Sequence, residues 1–219
     1  LSQNLAYSAL MLGFFSFVGQ LWMRPNMMGF VVNTLAITDS VLFLATAYVA
    51  TFAPRSPLFR LSSSLFALAA LVGALKFFGF YVNDPLHRFV SLIAGVAGFP
   101  ALAISMVMTE RRAISQWRSS FLIVAVCAVV GILLVMGTGS RAYLNAASVL
   151  SIVCVIVACW RQRYQLGVVS AAIMLIGLTL FATKQTVSVT VVQPADLLHL
   201  ALAAGWLGLS GFWKSQADQ

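Results

Sequence analysis

Hydrophobic positions come in long runs along this chain, each of about 18 to 24 residues, separated by short breaks rich in charged, prolyl and glycyl positions. A helix rises about 1.5 Å per residue, so roughly 20 apolar residues carry it across the hydrocarbon core of a bilayer. The runs predict about eight spans: Leu5–Met23, Gly29–Phe52, Leu61–Val82, Arg88–Met108, Ser119–Gly137, Tyr143–Trp160, Leu166–Thr183 and Leu197–Trp213. The predicted fold class is all-α, a polytopic transmembrane helical bundle forming a single domain over residues 1–219. Short connections make consecutive helices antiparallel neighbours. The longest connection, Gln185 to Asp196, contains Thr186–Val192, where polar and β-branched residues alternate and favour extended structure over the helix ends.

Composition strengthens this reading. Only 8% of the residues are charged, against roughly 25% in an ordinary soluble domain, too few to build a water-facing surface. The mean hydropathy is +0.98. A net charge of +8 would suggest nucleic acid in a soluble protein. Here the basic residues stand singly or in twos and threes at span ends, which is the pattern of topology signals, so the expected partner is the lipid bilayer and not nucleic acid. One set of connections holds Arg55, Arg60, Arg111, Arg112, Arg118, Arg161, Arg163 and Lys214, and the other only Arg24, Arg88, Arg141 and Lys184. The imbalance places both termini in the cytoplasm of a plasma or inner membrane. The first run is followed at once by a second of the same character and reads as a span, not as a cleaved signal. Trp22, Trp117, Trp160 and Trp213 stand near span ends as interface anchors, and Cys127, Cys154 and Cys159 lie inside spans as small apolar residues.

A weak internal repeat emerges when the third and seventh spans are aligned. Leu71-Val-Gly73 with Phe77 matches Leu175-Ile-Gly177 with Phe181, and Asp84-Pro-Leu-His87 matches Asp196-Leu-Leu-His199. Helices four spans apart point the same way, so the alignment describes a 4+4 parallel repeat with halves at 1–112 and 113–219.

Ionisable groups at membrane depth are costly and mark candidate function. Asp39 lies inside the second span with Leu35, Ala36, Leu42 and Phe43 around it and Thr38 and Ser40 beside it. Its carboxyl must face the protein interior, either as a hydrogen bond between helices or as a contact for a proton, metal or substrate. Lys76 falls in the outer third of the third span with Gly73 and Gly79 on its face. It either snorkels to the outer headgroups or pairs with Asp39, Asp84 or Asp196, or holds an anionic group.

The two Asp-x-Leu-His segments place Asp and His three apart on one helical face. Asp84, His87, Asp196 and His199 thereby become candidate ligands for a divalent metal such as zinc. A haem or pigment ligated by histidine is a further reading. Asp84 before Pro85, and Asp196 two residues after Pro194, equally suit helix N-caps. Ala94/Gly98 and Ala204/Gly208 read as close helix contacts.

In outline, several spans with scattered intramembrane Asp and His resemble membrane hydrolases of the alkaline ceramidase and adiponectin-receptor type. Those families would require a Ser-xxx-His in an early helix and a His-xxx-His in a late one; neither is present, since His87 and His199 stand single. The leading expectation is an intramembrane metal-assisted hydrolase or transferase acting on a lipid-like substrate at the outer leaflet. In it Asp39, Lys76 and Asp196 are the candidate catalytic residues and Lys76 neutralises developing negative charge. A small-solute or proton-coupled transporter using Asp39 and Lys76, and a non-catalytic subunit partnered by other membrane proteins, stand beside it.

Overall fold

In the computed structural model, residues 33–52, 56–108, 116–139, 142–183 and 193–215 are described, without the side chains of 213–215. They form seven helices long and apolar enough to cross a membrane. We label them α1 (Thr34–Phe52), α2 (Pro57–Phe77), α3 (Asp84–Val107), α4 (Trp117–Thr138), α5 (Ala142–Arg161), α6 (Gln165–Thr183) and α7 (Pro194–Ser215). The span expected at Leu5–Met23 and the extended segment expected at Thr186–Val192 lie outside the described residues.

Local chemistry sets the helix ends. Ser56 caps α2 through a hydrogen bond from the Phe59 backbone N–H (3.3 Å), followed by Pro57 in the first turn, where its missing N–H costs nothing. The other end of α2 departs from expectation. The helix stops at Phe77 and not near Val82, because Gly79 adopts φ +87° and closes a Schellman motif. Its N–H donates to Lys76 O and that of Phe80 to Leu75 O, both at 3.0 Å. Lys76 therefore belongs to the last turn of α2, and Gly79 is a stop signal, not part of a helix face. α5 ends in the same way, with Arg163 at φ +55° and the Arg163 and Tyr164 N–H groups returning to Trp160 O and Cys159 O. Within α3, Ala94–Gly98 forms a π-helical turn immediately before Pro100. Proline cannot donate to the carbonyl four residues back and its ring crowds that carbonyl, so the preceding turn widens. Ser62 of α2 donates to Gly98 O there (2.6 Å).

Six helices close a ring in the order α1, α2, α3, α5, α6, α7, with α7 returning to α1. α4 stands outside it against α2, α3 and α5, and its buried residues are Ser120 and Gly131. Gly131 admits Val96 of the π turn to a distance that a side chain would forbid. The outer faces are apolar, with Leu122, Leu133, Met136, Leu150 and Trp160 exposed. Acyl chains solvate such a surface, whereas in water it would aggregate. Lipid supplies no hydrophobic drive between helices, so close contact and hydrogen bonds hold them together, at about 0.6 kcal/mol per interhelical bond. Ser63 Oγ donates to Thr46 O (2.5 Å) and Tyr164 OH to Gly208 O (2.7 Å). Burial pushes the Tyr164 hydroxyl up to about 12, with Cys159 adding to the effect, so it keeps its proton and remains a donor.

One half of the ring is filled. Trp206 of α7 is fully buried and meets Phe59 (5.3 Å) and Phe66 (5.5 Å) of α2, and Phe66 meets Phe99 of α3 edge-on at 4.8 Å. Phe66 and Phe99 also line a cavity of about 570 Å³ that occupies the other half, so this aromatic layer is its floor.

Candidate functional site

The cavity is open and lined by all six ring helices together with Val135 of α4, with Leu42, Ala70, Leu178 and Leu202 among its apolar walls. Asp39 and His199 line it on the α1 and α7 side; His87, Arg88, Ser91 and Asn145 line it on the α3 and α5 side. The volume falls in the range of about 300–1,000 Å³ typical of small-molecule sites, and apolar walls carrying few polar groups are typical of them too.

α1 and α7 run parallel, and their first two turns face one another through a linked set of polar groups. His199 Nδ1 lies 3.1 Å from Asp39 Oδ1. Thr38 Oγ1 donates to Asp196 Oδ1 (2.9 Å) and stands 3.4 Å from the same His199 Nδ1. Thr34 Oγ1 donates to Asp196 Oδ2 (3.0 Å). The hydroxyl hydrogen of Thr38 is committed to Asp196, so both groups facing His199 Nδ1, a carboxylate oxygen and a hydroxyl oxygen, are acceptors there. With Asp39 ionised, a neutral imidazole carries its hydrogen on Nδ1, which leaves Nε2 as the basic nitrogen.

Asp39 is 3% exposed, and its Oδ2 has no hydrogen-bond partner among the described residues. Gly73 of α2 makes room for it. A Cβ at that position would run into Asp39 Oδ2 and stand 2.9 Å from Cγ. The glycine expected to leave space beside Lys76 instead leaves space for the carboxylate of α1.

The structure divides the residues expected to act together. Asp196 is 2% exposed and accepts from the Gln193 backbone N–H through Oδ2 (3.0 Å), as the third residue of α7. It therefore closes the helix start from inside, as the acidic member of a capping box does, and is not itself the N-cap. The expected cap at Asp84 is likewise displaced: Asn83 Oδ1 accepts from Leu86 N–H (2.9 Å), and Asp84 is the first helical residue. An asparagine at the cap is favoured as strongly as an aspartate, and the sequence Asn-Asp-Pro admits either register. The two Asp-x-Leu-His segments thus enter their helices two positions out of step.

Asp84 turns away to Lys76, with Nζ to Oδ1 at 2.6 Å and side chains 26% and 59% exposed. Lys76 Nζ also lies 5.2 Å from the Phe77 ring centre. His87 packs edge-on against Phe77 at 5.8 Å. Among the described residues, no group of three or more His, Cys, Asp and Glu stands together in a way able to hold a metal ion. Asp84 and His87 keep to the α2 and α3 side, and Asp196 and His199 to the α1 and α7 side.

The chain matches no family model, no curated protein and no solved structure. What the site can do therefore follows from its own chemistry. A buried carboxylate fixing the orientation of a histidine, beside an apolar cavity, is an arrangement able to take a proton from a bound nucleophile and return it to a leaving group. Sequence reasoning missed the threonines that hold Asp196, and it assigned His199 to a metal instead of to Asp39. The signal available was spacing: Thr34 and Thr38 lie four apart on one face of α1, with Asp39 next to them.

Proposed function

We propose that the protein is an integral membrane hydrolase or transferase of the acid–base type, acting on a lipid-like substrate drawn from the outer leaflet into the ring cavity. The reading is carried by one observation, the 3.1 Å contact between Asp39 Oδ1 and His199 Nδ1 at the cavity wall. Asp39 holds the imidazole in the tautomer whose Nε2 is basic and stabilises the imidazolium that forms during reaction. In hydrolysis of an ester, His199 Nε2 takes a proton from water as the water oxygen bonds to the carbonyl carbon. The same proton passes to the departing alcohol oxygen as the carbon–oxygen bond breaks, leaving acid and alcohol. General acid–base catalysis of this kind contributes about 10²–10⁴-fold in rate. Asp196 and the two threonines position α7 against α1.

The excess of basic residues that the sequence carries at the opposite ends of the helices supports a cavity on the outer side of a plasma or inner membrane, with both termini cytoplasmic. A second reading, proton-coupled transport through the same ring, is favoured by the unpartnered Asp39 Oδ2, a polar atom at membrane depth able to exchange a proton.

The test is a panel of single-chain amphiphiles with ester, amide or phosphodiester linkages. They are incubated with protein in lipid nanodiscs, and products are read by mass spectrometry. Turnover of a panel member that falls at least about 100-fold in both Asp39→Asn and His199→Ala, at unchanged yield of folded protein, supports the enzyme. No turnover by the wild type, together with proton flux in vesicles that Asp39→Asn abolishes, would replace it with the transporter.

A further inference from the structure

Resting on that reading of the cavity, a second feature speaks to the substrate. The wall opposite the Asp39–His199 pair is one face of α3, on which Arg88, Ser91, Leu92, Gly95 and Phe99 recur at the spacing of successive helical turns. The face changes character with depth. It begins at the mouth with a guanidinium, continues through a hydroxyl and ends in the aromatic floor.

Among the described residues Arg88 has no salt-bridge partner. Only five acidic residues occur in the chain. The three among the described residues are all engaged: Asp39 with His199, Asp84 with Lys76, and Asp196 with Thr34, Thr38 and the Gln193 backbone. Among the described residues no carboxylate lies within salt-bridge distance of Arg88, although it sits only one helical turn from Asp84 and acts on it electrostatically. Lys76 draws the Asp84 carboxylate the other way. A guanidinium at the mouth of an apolar cavity, with its nearest carboxylate already taken, is matched by an anion attached to an apolar body.

We propose that the cavity binds a single-chain amphiphile with an anionic headgroup, a phosphate or carboxylate, held by Arg88 at the mouth while its tail lies against the Phe66–Phe99 floor. His87 lines the same mouth and offers a further ring N–H to the headgroup. Asn145 and Ser148 of α5 line the cavity as well and supply polar contacts to whatever joins head to tail. That linkage then lies between the α3 and α5 wall and the α1 and α7 wall, within the span His199 addresses.

The experiment measures binding and not turnover, so that its failure is distinct from failure of the enzyme reading. Full-length His199→Ala protein in nanodiscs of zwitterionic lipid is titrated with two fluorescent probes of one tail length, an alkyl phosphate and an alkyl glycoside. The phosphate probe is expected to bind about tenfold more tightly, the scale of one charge-assisted contact at a partly exposed site. Arg88→Gln should erase that preference and Arg88→Lys keep most of it; Ala70→Trp, which fills the cavity, should abolish binding of both probes. Inorganic phosphate at the same concentrations should not displace the probe. Equal affinity for the two probes, a preference that survives Arg88→Gln, probe binding unaffected by Ala70→Trp, or full displacement by inorganic phosphate would each overturn the assignment. Arg88 is exposed, so its substitution leaves the fold intact, and the glycoside probe reports cavity integrity in both Arg88 variants.

Discussion

Replacing Gly73 by alanine adds one methyl group at the point where α2 meets the carboxylate of α1. The new Cβ would overlap Asp39 Oδ2 and sit 2.9 Å from Cγ and 3.2 Å from Oδ1. The carboxylate has no free rotation to offer, because Oδ1 is held by His199 at 3.1 Å. Relief therefore requires either separation of α1 from α2 or loss of the Asp39–His199 contact. Overpacking of this kind costs about 1–3 kcal/mol, and loss of a hydrogen bond to a charged group about 1.5–3 kcal/mol. Alanine returns about 1 kcal/mol through its better helix propensity. Whichever of the two occurs, the net expectation is a destabilisation of about 0.5–2 kcal/mol, or roughly 1–8 °C in thermal midpoint for a chain of this size. The assay is thermal unfolding in one detergent at one scan rate, since membrane proteins unfold irreversibly. It is run on Gly73→Ala, Asp39→Ala and the double variant. Removal of the carboxylate removes the collision, so the double variant should be no less stable than Asp39→Ala alone, a clear departure from additivity. If Gly73→Ala is as stable as the wild type or more so, or if the two substitutions add, the placement of Asp39 against Gly73 is wrong.

Three further outcomes follow from the geometry. Both oxygens of Asp196 accept hydrogen bonds, so Asp196→Asn should cost about 1 kcal/mol and Asp196→Ala about 1–3 kcal/mol more, measured by the same unfolding assay. Arg163 sits in the left-handed region at the end of α5, so Arg163→Gly should raise stability by about 1 kcal/mol, while the β-branched Arg163→Val should lower it. In a cysteine-free background, Tyr81→Cys in the α2–α3 connection should be labelled by a membrane-impermeant thiol reagent in intact cells and Gln116→Cys at the start of α4 should not; the reverse pattern would invert the topology.

The helices were legible in the sequence because apolar length is a coarse signal that survives errors of a few residues. Their ends were less so. Val82 continues an apolar run, and only the positive φ of Gly79 shows that the helix has already stopped. Asn83 and Asp84 are equivalent as caps by residue type, and the structure chooses the former. The order of helices round the ring was not legible at all. A chain that is apolar on every face carries no stripe to say which side meets which neighbour, and the contact of α1 with α7 joins segments far apart in sequence. Asp39 was legible as a candidate since a carboxyl at that depth demands a partner; which partner depended on the ring closure. For the same reason His199 was grouped with His87 by sequence likeness, whereas the fold gives it to Asp39.

The role proposed for His199, oriented by Asp39, is that of the base of a reaction in the cavity. Its most direct test is chemical rescue: His199→Gly removes the imidazole and leaves a hole of its shape beside the cavity. Turnover of the best amphiphile in the panel should fall by at least about 100-fold and recover, saturably, on addition of imidazole. Wild-type turnover in His199→Gly without added imidazole would contradict the account.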